Sequence, residues 1–397
     1  MYIQRTAEDT IKIFSKQFKV VLVTGARQVG KSTLLKHCDE NRNYVSLDDL
    51  TEREMAINEP KLFLENHKAP LIIDEIQYAP QLLSYIKLVV DKSEKKGQYW
   101  LTGSQQFHMM KNVSESLAGR VGIVDLMGLS LSEISGNKNS IPFDIETESN
   151  TDRKIYSTED IFKIIYNGSY PALNNNDEID RNSFYNSYLR TYIERDIRAL
   201  TTVSDEMKFL TFIRVVAART GQLLKYSEIA KEVDISEPTA KSWMSILVSS
   251  NLVYLLQPYY KNINKRMTKM PKIYFLDTGL CAYLTGWSSP EVIQRGAMNG
   301  AFFETFVVSE ILKSYLHNGA TPLIYVYRDT VQKEIDLLIE KNGKLYPIEI
   351  KLTANPNKSM VKNFNVIENA GMGAIICMKE KEMLLTDDVK VIPVFNI

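Results

Sequence analysis

The stretch Val20-Val21-Leu22-Val23-Thr24-Gly25-Ala26-Arg27-Gln28-Val29-Gly30-Lys31-Ser32-Thr33 decides how the rest of the chain is read. A β-branched apolar run enters a loop punctuated by glycine, and Thr33-Leu34-Leu35-Lys36 opens a helix directly after it. The spacing is GxxxxGK[ST], carried by Gly25, Gly30, Lys31 and Ser32. Glycines let backbone N–H groups turn inward around a phosphate, and the helix N-terminus adds the positive end of its dipole. Residues expected to surround a nucleotide are Gly25, Ala26, Arg27, Gln28, Val29, Gly30, Lys31, Ser32 and Thr33. Among them Lys31 reaches the β/γ-phosphates and the Ser32 hydroxyl ligates Mg²⁺, which makes ATP and Mg²⁺ the expected cofactors.

Downstream, short apolar strands alternate with helical patterns, as in an α/β fold built on a parallel sheet. Asn43-Tyr44-Val45-Ser46-Leu47-Asp48 reads as a second strand, and Pro70-Leu71-Ile72-Ile73-Asp74-Glu75-Ile76-Gln77 as a third that ends abruptly in two carboxylates. A buried parallel strand presents its C-terminal end to the ligand crevice, so Asp74 is expected to hold Mg²⁺ through water. Glu75 is expected to polarise the attacking water. Tyr99-Trp100-Leu101-Thr102-Gly103-Ser104-Gln105 ends in small polar residues, and either Thr102 or Ser104 contacts the γ-phosphate or serves only as turn chemistry. Arg120, before Val121-Gly122-Ile123-Val124, reads equally as a charge-stabilising finger, in cis or from a neighbouring subunit, or as a surface ion pair.

The bulk numbers bound the rest. With 397 residues the chain is long for one core, so two or three domains are expected. Apolar residues at 44% and charged residues at 24% are those of a globular protein. Basic and acidic residues balance at 48 each, so affinity for nucleic acid has to come from a local patch. Cys38, Cys281 and Cys377 form no CxxC, which argues against a disulfide framework or zinc site and suits a reducing cytoplasm. The opening residues are not those of a signal peptide, no apolar run approaches membrane-spanning length, and a cytoplasmic location is expected.

The strings GARQVGKST, LIIDEIQ, LTGSQ and SLAGR, in this order, resemble the prokaryotic AAA-type ATPases that carry a C-terminal domain of uncharacterised function. The resemblance spans essentially the whole chain. It implies an ATPase core (1–134), a helical lid and connector (135–202), a winged helix (203–276) and a C-terminal nuclease-like module (277–397). AAA-type ATPases commonly form rings with an arginine finger in trans, which makes a homo-oligomer an open expectation.

In the middle, residues 135–154 are polar and turn-rich and read as an exposed connector. In the helix around residues 187–198, Leu189, Ile193 and Ile197 share a buried face, so Arg190 and Arg195 read as a solvated ion-pair face, with contact to a nucleotide as the alternative. A helix-turn-helix pattern follows: a helix over 224–233 with Ser227 as N-cap, a turn at Asp234-Ile235, and a helix with Pro238 in its first turn. Strands at 251–256 and 272–276 complete a winged-helix pattern. Lys241 is the cation its second helix offers to a phosphate. Lys261, Lys265, Arg266, Lys269 and Lys272 form a run without an acid that reads as a nucleic-acid grip on DNA, or as a solvated wing used for protein contacts.

The last third carries an apolar helix with Glu304, then strands at 323–327, 333–339 and 346–351, a helix at about 359–369 and a strand at 373–377. This order resembles the PD-(D/E)xK nuclease fold. The resemblance makes Asp336 and Glu349 metal ligands, has Lys351 orient the attacking water, and lets Glu304 complete an acidic shell. Glu349 and Lys351 are two apart on a strand and share a face. Many modules of this fold bind without cutting, so an active nuclease and a binding remnant both stand. Three functions are compatible with the whole: a DNA-associated ATPase, a nucleotide-dependent signalling switch holding a protein partner, and an ATP-gated nuclease in host defence.

Overall fold

The computed structural model describes residues 2–103, 113, 116–147, 153–175, 178–192, 206–260, 270–329 and 331–397. Five parallel strands form the first sheet: β1 (Val20–Thr24), β2 (Asn43–Ser46), β3 (Leu71–Asp74), β4 (Tyr99–Gly103) and β5 (Val121–Asp125). Their order is β2-β3-β4-β1-β5, which places β1 centrally and aims the loop after it at the crevice beyond the strand ends. Every residue of β1 is buried, because both faces are covered. Val21 and Val23 enter one core and Val20 and Leu22 another, the two-residue alternation of a strand. Local chemistry sets several helix starts. Asp49 caps the Leu50–Asn58 helix, and Ser130 forms a reciprocal capping box with Glu133.

After the first sheet come helices at Thr158–Asn167, Arg181–Tyr192 and Glu206–Ala217, then a helix pair, Tyr226–Val233 and Glu237–Ser249. Asp234, left-handed at φ 56°, ends the first of the pair, and Ser236 caps the second by accepting from the Thr239 N–H. Ser227 lies inside its helix, with Lys225 at the N-cap, because the helix begins two residues earlier than the capping pattern suggests. β6 (Val253–Leu256) and β7 (Lys272–Phe275) pair antiparallel behind this unit.

The Asn299–Leu316 helix then packs on a six-stranded mixed sheet, ordered β12-β13-β11-β10-β9-β8. Its strands are β8 (Ile324–Arg328), β9 (Glu334–Lys341), β10 (Lys344–Ile350), β11 (Gly373–Cys377), β12 (Met383–Thr386) and β13 (Val389–Pro393). The helix expected at 359–369 is replaced by two short 3-10 turns, Lys358–Val361 and Phe364–Val366. Asn363, Asn365 and the β-branched Val366 and Ile367 are poor helix formers, which accounts for the difference. One hydrophobic core runs from Val21 in the first sheet through Phe212 and Trp243 to Ile348 and Phe395, so the successive units share an interior.

Candidate functional site

The loop after β1 can form only because its first residue is glycine. Gly25 has φ 149°, and a Cβ there would lie 2.0 Å from the Leu126 carbonyl oxygen. Gly30, left-handed at φ 93°, turns the chain into the Lys31–Cys38 helix. The Lys31 side chain is buried and folds over the loop, donating to the carbonyls of Gly25 (3.1 Å) and Ala26 (2.8 Å). Ala26 and Val29 are buried, Arg27 is half-buried, and Gln28 and Thr33 face outward.

Asp74, at the end of β3, is where the expected residues meet. The Ser32 hydroxyl donates to Asp74 Oδ1 at 2.8 Å, and the Thr102 hydroxyl from β4 donates to the same oxygen. Tyr44 from β2 donates to Asp74 Oδ2 at 2.8 Å, and burial together with that carboxylate pushes its own hydroxyl well above the usual range. Tyr44 was not foreseen, because no local signal marks a strand tyrosine as a partner of a carboxylate on the next strand. Glu75 follows in the left-handed region at φ 59°, an uncommon backbone for a glutamate. Its N–H is held by Thr102 Oγ1 at 3.1 Å, and its carboxylate accepts from Gln77. The turn thus takes the chain out of β3 directly after Asp74 and holds the Glu75 carboxylate against Gln77.

Arg120 is placed elsewhere. It precedes β5, and the register pairs Val121 with Val20 at the start of β1, so Arg120 lies at the edge of the sheet opposite the glycine loop. There it forms a two-point pair with Asp91, at 2.5 and 3.0 Å. A finger acting in cis on this chain's own loop is therefore excluded. Ser104 and Arg195 lie outside the described residues.

A second cluster assembles where β7, the Asn299–Leu316 helix, β9 and β10 meet. Lys351 Nζ lies 2.9 Å from Asp336 and 2.5 Å from Glu349, while the Ile350 N–H also donates to Asp336 at 2.9 Å. Lys272 Nζ lies 3.0 Å from Glu304 and 2.6 Å from Glu334, and Tyr274 donates to Glu304 at 2.5 Å. Burial and the adjacent Asp336 push Glu349 up to about 8. Burial also raises Glu304. It would raise Asp336 too, but the charges of Lys351 and Lys272 prevail and lower it. Among the described residues no three His, Cys, Asp or Glu side chains are grouped to hold a metal ion.

Lys272, expected on an exposed basic wing, is instead interior: its side chain is 6% exposed and enclosed by carboxylates. It is not available to a phosphate, and the reason is its position in β7, which faces the C-terminal sheet. Lys241 remains exposed, 2.8 Å from Glu237 on the same helix. Lys261, Lys265, Arg266 and Lys269 lie outside the described residues. The described residues on either side of them, Tyr260 and Met270, both line an open groove of about 650 Å³ together with Arg219, Lys225 and Arg328. No described helix is long and apolar enough to cross a membrane.

Residues 17–135 match the family described as AAA domain, and residues 158–291 and 299–397 each match a domain of unknown function. Two uncharacterised proteins, one from Mycobacterium bovis and one from Mycobacterium tuberculosis, are each 28% identical over 376 residues, covering 94% of this chain and 80% of theirs. Among solved structures, a Walker-type ATPase of Pyrococcus abyssi is similar at 15% identity and a TM-score of 0.45, over 71% of this chain and 96% of its own. AMPPCP-bound DnaA from Aquifex aeolicus is similar at 13% and 0.30, over 61% and 85%. Structural likeness at this level carries no argument about function. Residues 17–135 are thus similar to the AAA domain family, and the parallel sheet with its glycine loop gives this part of the chain an α/β architecture.

Proposed function

We propose that the chain is an ATP-hydrolysing motor or switch that works on DNA, with nucleotide turnover at residues 25–33 driving the units C-terminal to it. The observation that carries the ATPase reading is the convergence of Ser32, Thr102 and Tyr44 on Asp74 directly beside a loop that only glycine can form. The residues fit ATP with Mg²⁺. A hydroxyl and a carboxylate, both oxygen donors suited to a hard cation, already touch each other, and Gly30, where a Cβ would meet nothing nearer than 3.8 Å, leaves the backbone open at the start of the helix. The chemistry a bound magnesium ion supplies is neutralisation of phosphate charge. Lys31 would exchange its carbonyl partners for phosphate oxygens, and Glu75, held by its turn, would orient the attacking water. Thr102, touching both Asp74 and the Glu75 N–H, would transmit a change at one to the other.

The DNA part of the reading is supported by the groove lined by Arg219, Lys225 and Arg328, at whose margin the basic run between Tyr260 and Met270 leaves and rejoins the described chain. The helix pair beside it and the β6–β7 pair after it support a winged-helix reading, with Lys241 exposed. The C-terminal cluster does not favour a metal: among the described residues no three His, Cys, Asp or Glu side chains are grouped to hold one, and Lys272 and Lys351 already lie against Glu304, Glu334, Asp336 and Glu349. A protein partner is the second reading, favoured by apolar side chains exposed on neighbouring helices of the first domain, Leu50, Ile57, Leu62 and Leu88.

The test is phosphate release by the purified chain with single-stranded, duplex and branched DNA. Lys31→Ala and Glu75→Gln are expected to abolish turnover, and at least one DNA form to raise the wild-type rate several-fold. Turnover indifferent to all three would remove DNA and leave the protein-partner reading.

A further inference from the structure

Arg5 is far from the glycine loop in sequence yet touches it. Its side chain is 3% exposed and donates to the Val29 carbonyl inside the loop at 2.9 Å, and to the carbonyls of Met127 (2.8 Å) and Gly128 (3.2 Å) where the chain leaves β5. The same guanidinium pairs with Glu133 at 3.1 Å. Glu133, fully buried, also accepts the Thr6 N–H at 2.7 Å and the Ser130 N–H at 2.9 Å, and faces His317 Nδ1 at 3.4 Å. His317 Nε2 accepts the Met127 N–H at 3.2 Å, so its proton sits on Nδ1, toward Glu133; burial keeps the ring neutral by lowering its pKa. Two further side chains of the long helix hold the same segment: Lys313 donates to the Leu129 carbonyl at 2.9 Å, and Glu310 accepts the Leu131 N–H at 2.7 Å.

The network therefore joins three elements through groups with no water to exchange for. Desolvated polar groups of this kind are costly to leave unpaired, so a displacement of one element has to be matched by the others or by breaking a buried bond. The far end of the connection is also defined. Glu304, paired with Lys272, lies on the same Asn299–Leu316 helix whose C-terminal end bears His317, about 20 Å away along a rigid rod.

We propose that Arg5 is a positioning residue for the nucleotide loop, and that the Arg5–Glu133–His317 network links nucleotide binding to the Asn299–Leu316 helix and its Lys272–Glu304 junction. The proposal rests on the reading of residues 25–33 as a nucleotide site. Linkage is reciprocal: a nucleotide that stabilises the helix end through Arg5 is itself bound more tightly when that end is intact.

The experiment pairs titration of a fluorescent ATP analogue with Mg²⁺ against hydrogen exchange of the full chain with and without ATP. In the wild type, ATP is expected to slow exchange of amides at 127–131 and at 313–318 as well as at the loop. Arg5→Met is expected to weaken ATP binding at least tenfold and to abolish the response at 313–318, while Arg5→Lys, which keeps the charge but not the two-pronged contact, recovers part of the affinity. His317→Asn serves where Arg5→Met does not fold: the response at 313–318 should disappear and that at the loop persist. Wild-type protein that binds ATP with unchanged exchange at 313–318, or a folded Arg5→Met with undiminished affinity, overturns the proposal alone. Wild-type protein that binds no ATP overturns the nucleotide reading with it.

Discussion

Replacing Lys272 with Met tests how much of the junction between β7 and the C-terminal sheet rests on one buried ammonium. Lys272 lies 3.0 Å from Glu304 and 2.6 Å from Glu334, and Glu304 is only 16% exposed. Breaking a buried pair from one side costs about 3–5 kcal/mol, because the other charge is left without compensation. Two features place the expected loss at the lower bound, about 3 kcal/mol. Glu334 is partly solvated and recovers water, and Glu304, already raised by burial, takes up a proton once the cation is gone. Urea unfolding at neutral pH, followed by tryptophan fluorescence, reads this as a lower midpoint. The double variant Lys272→Met/Glu304→Gln removes the stranded charge and should regain about 1 kcal/mol or more over the single one. A single variant that loses under about 1 kcal/mol, or a double variant that is merely additive, would refute the view of Lys272 as an internal counter-ion.

The same geometry sets other outcomes. Glu133 would be raised by burial, but Arg5 and His317 hold it well below the usual carboxylate range, so its contribution is present above about pH 4.5 and is lost as pH falls toward its folded value. Accordingly, the stability difference between wild type and Glu133→Gln should be large at pH 7 and shrink at pH 3 in denaturant titrations. Gly25→Ala should reduce nucleotide binding more than tenfold, since its Cβ meets the Leu126 carbonyl; Gly300→Ala, in helical backbone with nothing within 4 Å, should leave binding unchanged in the same titration. Arg120→Ala should not alter turnover by isolated subunits, and a loss that appears only as protein concentration rises would identify a finger acting between subunits.

What was legible in the sequence is what local pattern encodes. The loop, the carboxylates ending β3 and the small polar end of β4 each announce themselves within a few residues, and strand direction brings them together. Arg120 was ambiguous only until the parallel register showed that a residue preceding β5 lies at the far edge. Lys272 was misplaced because a run of cations without an acid looks solvated, whereas its compensating carboxylates, Glu304 and Glu334, arrive from other elements. Arg5, Glu133 and His317 carry no motif at all: each is an ordinary polar or charged residue whose role exists only once contacts separated by more than a hundred residues have formed. The 3-10 turns at Lys358–Val361 and Phe364–Val366 were missed because a family's element order outweighed weak helix propensity.

The position of Lys272 also bears on how portable the C-terminal unit is. A cut between residues 276 and 277, where the family resemblance sets a border, would leave Glu304 and Tyr274 on different pieces and strip the sheet of the cation that β7 lends it. A fragment starting there would carry Glu304, Asp336 and Glu349 with Lys351 as the only lysine at the cluster among the described residues. Such a piece is a poor candidate for separate expression or for grafting onto another protein. A fragment that begins before β7 keeps its counter-ion and is the one to make.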